Sequence, residues 1–308
     1  MTTYPASGSS SPTKTQHKAA QLRPRLLLAL GVVAALALAL AAGGSYRGQE
    51  LSGFKIFALA VGATFVVQWL AFIPAYLKQT ERFYDLLGGV GFVAGTLFVL
   101  AAADEKDART WVLGAMVVIW SLRLASFLFW RVHKFGGDDR FDDIKPLKLR
   151  FFLTWTLQGL WVAATASAAW IAMASTHRES MGLVSWIGVV VWLVGMTFEV
   201  VADLQKTAFK SNPANQGKFI SSGLWSVSRH PNYFGEITLW LGVFLVAAPV
   251  LVGWQWVALL SPAIVILLLT RVSGIPMLEK KAEKKWGHDP SYRAYVENTP
   301  VLIPTLGK

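Results

Sequence analysis

Apolar residues run along this chain in eight long, nearly uncharged blocks separated by short polar stretches. The blocks cover roughly 26–42, 54–76, 83–103, 111–130, 151–175, 181–202, 233–249 and 254–270. Each reaches or approaches the roughly 20 residues that a helix needs to cross a hydrocarbon core. Long uncharged stretches in lipid must satisfy their backbone internally, so each block predicts a transmembrane helix. Only residues 250–253 separate the last two blocks, which predicts a tight hairpin. Trp111, Trp130, Trp254 and Trp256 stand near block ends, as interfacial aromatic belts do. The expected fold is an all-α polytopic transmembrane bundle of about eight spans.

Composition agrees with that pattern. Of 308 residues, 54% are hydrophobic and only 15% charged, too few charges to cover a water-soluble globule of this size. Cysteine is absent, which excludes a disulfide scaffold, a zinc knuckle, an iron–sulfur site and a cysteine nucleophile. The net charge of +11 raises nucleic acid as a partner, but the placement of the charges argues for topology instead. With the N-terminus in the cytoplasm, 23 of the 29 Lys and Arg fall on the cytoplasmic side. That bias gives an N-in, C-in arrangement and a lipid bilayer as partner, with no nucleic acid.

No acid precedes Glu50, and residues 1–22 are basic and rich in Ser and Thr. They read as a disordered tail or an organellar transit peptide. The apolar block over 26–42 has no polar side chain, and an anchor helix is expected over 23–43. The membrane is a cell membrane in a bacterium, or the endoplasmic reticulum or an organelle in a eukaryote.

Several short motifs carry chemistry. Gly89-Val90-Gly91-Phe92-Val93-Ala94 imitates a dinucleotide fingerprint but lies inside an apolar span without the strand the motif requires, so helix packing explains it better. The five histidines are scattered without ligand spacing, which predicts no metal site. Glu199 and Asp203 share a helical face that continues to Lys206 and Lys210, and like charges at that spacing repel. Either they pair internally with Lys206 at the interface, or they face a bundle cavity and accept hydrogen bonds from a ligand. Arg229-His230-Pro231-Asn232-Tyr233 opens the seventh span, with Pro231 fit for a helix first turn and with free N–H groups beneath two cationic side chains that suit a phosphate. Glu236 then falls about one turn inside the span, too deep for a cap. Near the C-terminus, Gly287 reads as a helix stop and Asp289-Pro290 as the next cap, in a segment that is either a basic cytoplasmic amphipath or a lid over the cavity.

Together, Glu199…Asp203-Leu204-Gln205-Lys206, Gly223-Leu224-Trp225, Ser228-Arg229-His230-Pro231-Asn232-Tyr233-Phe234-Gly235-Glu236 and the tail Leu278-Glu279…Tyr292…Tyr295…Pro300…Pro304 resemble the DUF1295 branch of the steroid 5α-reductase superfamily. The likeness covers residues 54–304. It is specific for the superfamily rather than for one activity, because isoprenylcysteine carboxyl methyltransferases share a similar string and tail. The resemblance implies a seven-span reductase core over 54–304 with a cytoplasmic C-terminal segment, to which the anchor adds one helix. It implies an NADPH pocket formed by Arg123, Glu199, Asp203, Lys210, Lys218, Arg229, His230, Asn232, Tyr233 and Glu236, with Arg131 nearby. Steroid reductases hold the substrate carbonyl with a Glu and a Tyr. Asp85, beside Tyr84, stands near the first here and Trp120 near the second, so a 3-oxo-steroid is not implied. Lys210 and Lys218 replace the arginines found in steroid enzymes and lose their bidentate fork.

The expected activity is hydride transfer from NADPH to a conjugated C=C of a lipophilic small molecule, with Asp85 and Tyr84 supplying the acid. An S-adenosylmethionine-dependent methyltransferase is the alternative. A catalytically silent scaffold would leave the buried acids unexplained.

Overall fold

The computed structural model describes residues 14–135 and 141–305, with side chains over 22–130 and 141–305. Among them are eight helices long and apolar enough to cross a membrane, at Leu22–Gly44, Ile56–Leu77, Tyr84–Ala102, Ala108–Trp130, Lys148–Ala174, Leu183–Ser211, Pro231–Val250 and Gly253–Trp286. The chain is therefore an integral multi-pass membrane protein.

The first seven spans are built on α1 (Lys14–Gly44), α2 (Ile56–Leu77), α3 (Tyr84–Ala102), α4 (Ala108–Phe135), α5 (Lys148–Ala174), α6 (Leu183–Ser211) and α7 (Pro231–Ala247). The eighth is irregular. It opens as a 3₁₀ helix over Gly253–Leu259, continues as α8 (Leu260–Leu267) and ends in a π turn at Leu268–Val272. Two short amphipathic helices follow, α9 (Ile275–Trp286) and α10 (Pro290–Asn298). A two-stranded hairpin, β1 (Glu50–Leu51) and β2 (Phe54–Lys55), turns through Ser52 and Gly53, both at positive φ, and leads from α1 into α2.

Helix α1 begins at Lys14, inside the stretch expected as a tail, and residues 1–13 lie outside the described residues. The sixth span also departs from expectation. Its apolar block closes near residue 202, yet α6 continues to Ser211 and carries Lys206 and Lys210 beyond the apolar zone.

Helix α5 is the central post, buried along nearly its whole length, with Trp155 and Trp170 among its fully buried side chains. Glycines let the other helices close on one another. A Cβ on Gly95 would stand 2.4 Å from the Trp170 ring, and one on Gly89 2.4 Å from Ala125 Cβ. The glycines of the false fingerprint thus serve packing. Helices α6 and α7 meet still more closely: a Cβ on Gly195 would lie 2.4 Å from Leu239 N, and one on Gly235 2.5 Å from Glu199 N. That approach brings Glu199 and Glu236 to the same level of the bundle.

Candidate active site

The polar cluster starts from Arg123, one helical turn beyond Trp120 on α4. Its guanidinium reaches Glu199 Oε1 at 2.5 Å and Asp203 Oδ2 at 2.5 Å, both on α6. Trp120 donates Nε1–H to the other Glu199 oxygen at 3.1 Å. The two acids thus share a face, as their spacing requires, and Arg123 is the partner that offsets their repulsion. Burial makes the pairing necessary, since the Glu199 and Asp203 side chains are 3% and 9% exposed.

Beside this cluster lies a cavity of about 580 Å³, lined by Tyr84, Asp85, Trp120, Gln158 and Glu236 among apolar neighbours from α3, α4, α5 and the eighth span. Three of the expected catalytic residues therefore converge with one expected cofactor residue. Glu236 lies within the electrostatic field of Glu199, Asp203 and Arg123. Tyr84 donates its hydroxyl to Thr154 O at 3.0 Å, and Trp120 gives its N–H to Glu199. Gln158, which sequence reasoning passed over, donates Nε2–H to Tyr84 O at 2.8 Å, and Gly88 leaves room for it. A lone amide within an apolar block was the available signal.

A second pocket, about 540 Å³, lies at the end of the bundle where α6 finishes and α7 starts. Lys206, Lys210, Lys218, Arg229, Lys281 and Lys285 line it, against one carboxylate, Glu279. Aromatic rings form its walls: Lys206 Nζ sits 4.3 Å from the Trp225 ring centroid, and Phe219 packs on Tyr292 and Tyr295. Glu279 holds Arg229 Nη1 at 2.6 Å and accepts from His230 Nε2–H at 2.7 Å. Arg229 Nε and His230 Nδ1 are buried with no hydrogen-bond partner among the described residues. Burial pushes the His230 pKa down, against the opposing pull of Glu279. Burial likewise pushes the Tyr292 and Tyr295 hydroxyls up, so they remain neutral.

The C-terminal segment closes this pocket. Tyr295 donates to Trp225 O, Trp286 Nε1–H to Gly217 O, Ser228 Oγ to Leu302 O, and the Arg229 amide to Pro300 O. Gly287 caps α9, and Asp289 accepts from Ser291 N ahead of Pro290, as read from the sequence. Asn232 and Tyr233 occupy the first turn of α7 but line neither cavity; Tyr233 stacks on His230 at 5.7 Å between ring centroids. The Arg131 side chain lies outside the described ones. Among the described residues, no three of His, Asp and Glu stand together as a metal-binding group.

Residues 71–299 match the family model DUF1295, described as a protein of unknown function. The chain is 25% identical over 263 residues to an uncharacterized protein of Schizosaccharomyces pombe, covering 74% of this chain and 73% of that one. Over 53 residues, 17% of this chain and 18% of the other, it is 42% identical to a probable O-methyltransferase of Ustilaginoidea virens. No solved structure gives a significant match.

Proposed function

The chain belongs to the DUF1295 family, part of the steroid 5α-reductase-like superfamily, and from that premise we propose an NADPH-dependent membrane reductase. Its substrate is a lipophilic molecule with a conjugated C=C, seated in the intramembrane cavity. Family membership points to a membrane enzyme; the reaction is inferred from the site.

The observation that carries the reading is the charge balance of the basic pocket, six Lys or Arg against one acid. NADPH bears several phosphate charges, whereas S-adenosylmethionine bears a sulfonium cation. Six cations stabilise the first and repel the second. The donor set fits the dinucleotide too, because buried Arg229 Nε–H has no partner among the described residues and is a donor suited to a phosphate oxygen. Lys206, Lys210, Lys218 and Arg229 would hold the phosphates, and the aromatic walls would take a ring. Glu236, farther along α7, would take the polar groups of the other end.

When bound, NADPH supplies a hydride. The protein's own residues do the rest. The apolar cavity excludes water, the Arg123–Glu199–Asp203 cluster fixes α4 against α6, and Asp85 holds a proton toward the substrate's carbonyl oxygen. Tyr84 orients α3 through its bond to Thr154 O.

Methyl transfer from S-adenosylmethionine is the second reading, favoured by the 53-residue similarity to a probable O-methyltransferase. Calorimetry of the detergent-purified chain separates the two. NADPH should bind, with affinity that falls as salt rises, and S-adenosylmethionine should not. Binding of S-adenosylmethionine without NADPH reverses the assignment.

A further inference from the structure

A third cavity, about 690 Å³, lies away from both pockets described above. It is the gap between the N-terminal half of α1, the end of α2 and the start of α5. Helix α1 seats Val33, Ala37 and Leu40 against the bundle, but no residue between 22 and 32 is buried. This half stands away from its neighbours, and Leu22, Leu26, Leu27, Phe72 and Phe152 face the gap. At the same place the lining carries Arg23, Lys148 and Arg150, and among the described residues it holds no acid.

Helix stability does not explain these cations. Lys148 and Arg150 occupy the first turn of α5, where the macrodipole favours acids. Their contacts are weak ones: Arg150 Nη1 donates to Asp143 O at 3.2 Å, and Lys148 Nζ stands 5.9 Å from the Tyr76 ring centroid. Two nearby carboxylates, Glu81 and Asp142, are held instead by Lys145, at 2.6 and 3.1 Å, and the Glu81 bond pushes the Lys145 pKa up. An apolar, chain-wide groove that ends in three cations has the form of a phospholipid with an anionic headgroup.

We propose that the groove between α1, α2 and α5 binds one anionic phospholipid, its acyl chain along Leu26 and Phe152 and its phosphate against Arg23, Lys148 and Arg150. The bound lipid fills the gap and joins the anchor helix to the bundle. This site is independent of the reaction proposed above.

Native mass spectrometry of the full chain, purified in detergent and supplied with phosphatidylglycerol or phosphatidylcholine, tests it. One phosphatidylglycerol should bind in preference to phosphatidylcholine. The combined Arg23→Gln, Lys148→Gln, Arg150→Gln variant should lose about a hundredfold in phosphatidylglycerol affinity, since each surface cation contributes roughly a factor of five. Combined Lys280→Gln and Lys284→Gln should leave the preference unchanged. Glycerol 3-phosphate should not compete, because the acyl chain is needed. Should the triple variant misfold, Leu26→Trp, which blocks the groove without altering charge, should abolish lipid retention. Equal binding of the two lipids, competition by glycerol 3-phosphate, or full retention in the triple variant or Leu26→Trp overturns the proposal.

Discussion

Trp120 gives its indole N–H to Glu199, at 3.1 Å, while Arg123, one turn along the same helix, takes that carboxylate's other oxygen at 2.5 Å. Two side chains of α4 thereby grip one acid of α6 inside the membrane. Removing Arg123 takes away the guanidinium that offsets buried Glu199, and a broken buried pair costs about 3–5 kcal/mol. Arg123→Ala should lower the unfolding midpoint in detergent far more than Trp120→Phe, which removes one hydrogen bond worth about 1–2 kcal/mol. Equal, small losses would mean that the carboxyls are neutral and the pairing weak.

The contact between α6 and α7 sets the level of the acids, so it is open to a purely steric test. A Cβ on Gly235 would meet the Glu199 backbone at 2.5 Å, where no flexible side chain can give way. Gly235→Ala should cost about 1–3 kcal/mol through overpacking and should shift Glu236 relative to Glu199. Gly62→Ala, with open space around it, should change neither stability nor turnover.

The spans were legible because an apolar block of some twenty residues has one stable form in lipid. The end of α6 was less so. Residues 203–211 are polar enough to read as a loop, and only the Glu199, Asp203, Lys206, Lys210 stripe hinted that the helix continues. The partner of the two acids was not legible at all. Arg123 lies 76 positions before Glu199, and the pairing of α4 with α6 is a product of packing rather than of spacing. The sequence placed Arg123 in the same expected pocket as the acids, and the fold shows that its guanidinium binds them directly. Glu279 shows the same limit: it stood out in the tail motif, but its grip on Arg229 and His230 depends on how α9 returns to α7.

That grip has a pH signature. Burial lowers the His230 pKa below its unfolded value near 6.5, so the folded chain resists protonation there. Above the unfolded pKa both states are neutral at His230 and stability is independent of pH. As pH falls through about 6.5 the unfolded state binds the proton first, and stability is lost until the lowered folded pKa is passed. The unfolding midpoint should drop between pH 7.5 and 5.5 in the wild type and drop less in His230→Gln. A parallel fall in both would assign the titration to another group.

Glu236 tests the ligand side of the cavity without disturbing the pairing on α6. It lines the cavity from α7, apart from the Arg123–Glu199–Asp203 pairing, so Glu236→Gln should retain the fold. The carboxyl is an acceptor that an amide only partly replaces, and NADPH affinity should fall by about tenfold or more, as for loss of a charge-assisted hydrogen bond. Calorimetry on the purified variant reads this directly. Unchanged binding and turnover would reduce Glu236 to a structural residue.

Two roles compete for Asp85 at one position. It occupies the first turn of α3, where any acid complements the macrodipole for about 0.3–1 kcal/mol. It also lines the cavity, on the same face of α3 as Gly88 and Gly89. A capping role predicts that Asp85→Asn lowers stability slightly and leaves turnover alone. An acid poised at a substrate carbonyl predicts the reverse: NADPH affinity within about twofold of wild type and turnover on an enone reduced by about a hundredfold or more. Measuring both on the same preparation separates the roles, since Asn keeps the side chain's size and its helix-terminal hydrogen bonding but cannot release a proton. A loss of turnover below about threefold would return Asp85 to the helix and move the acid to Glu236, the other carboxyl that faces the cavity.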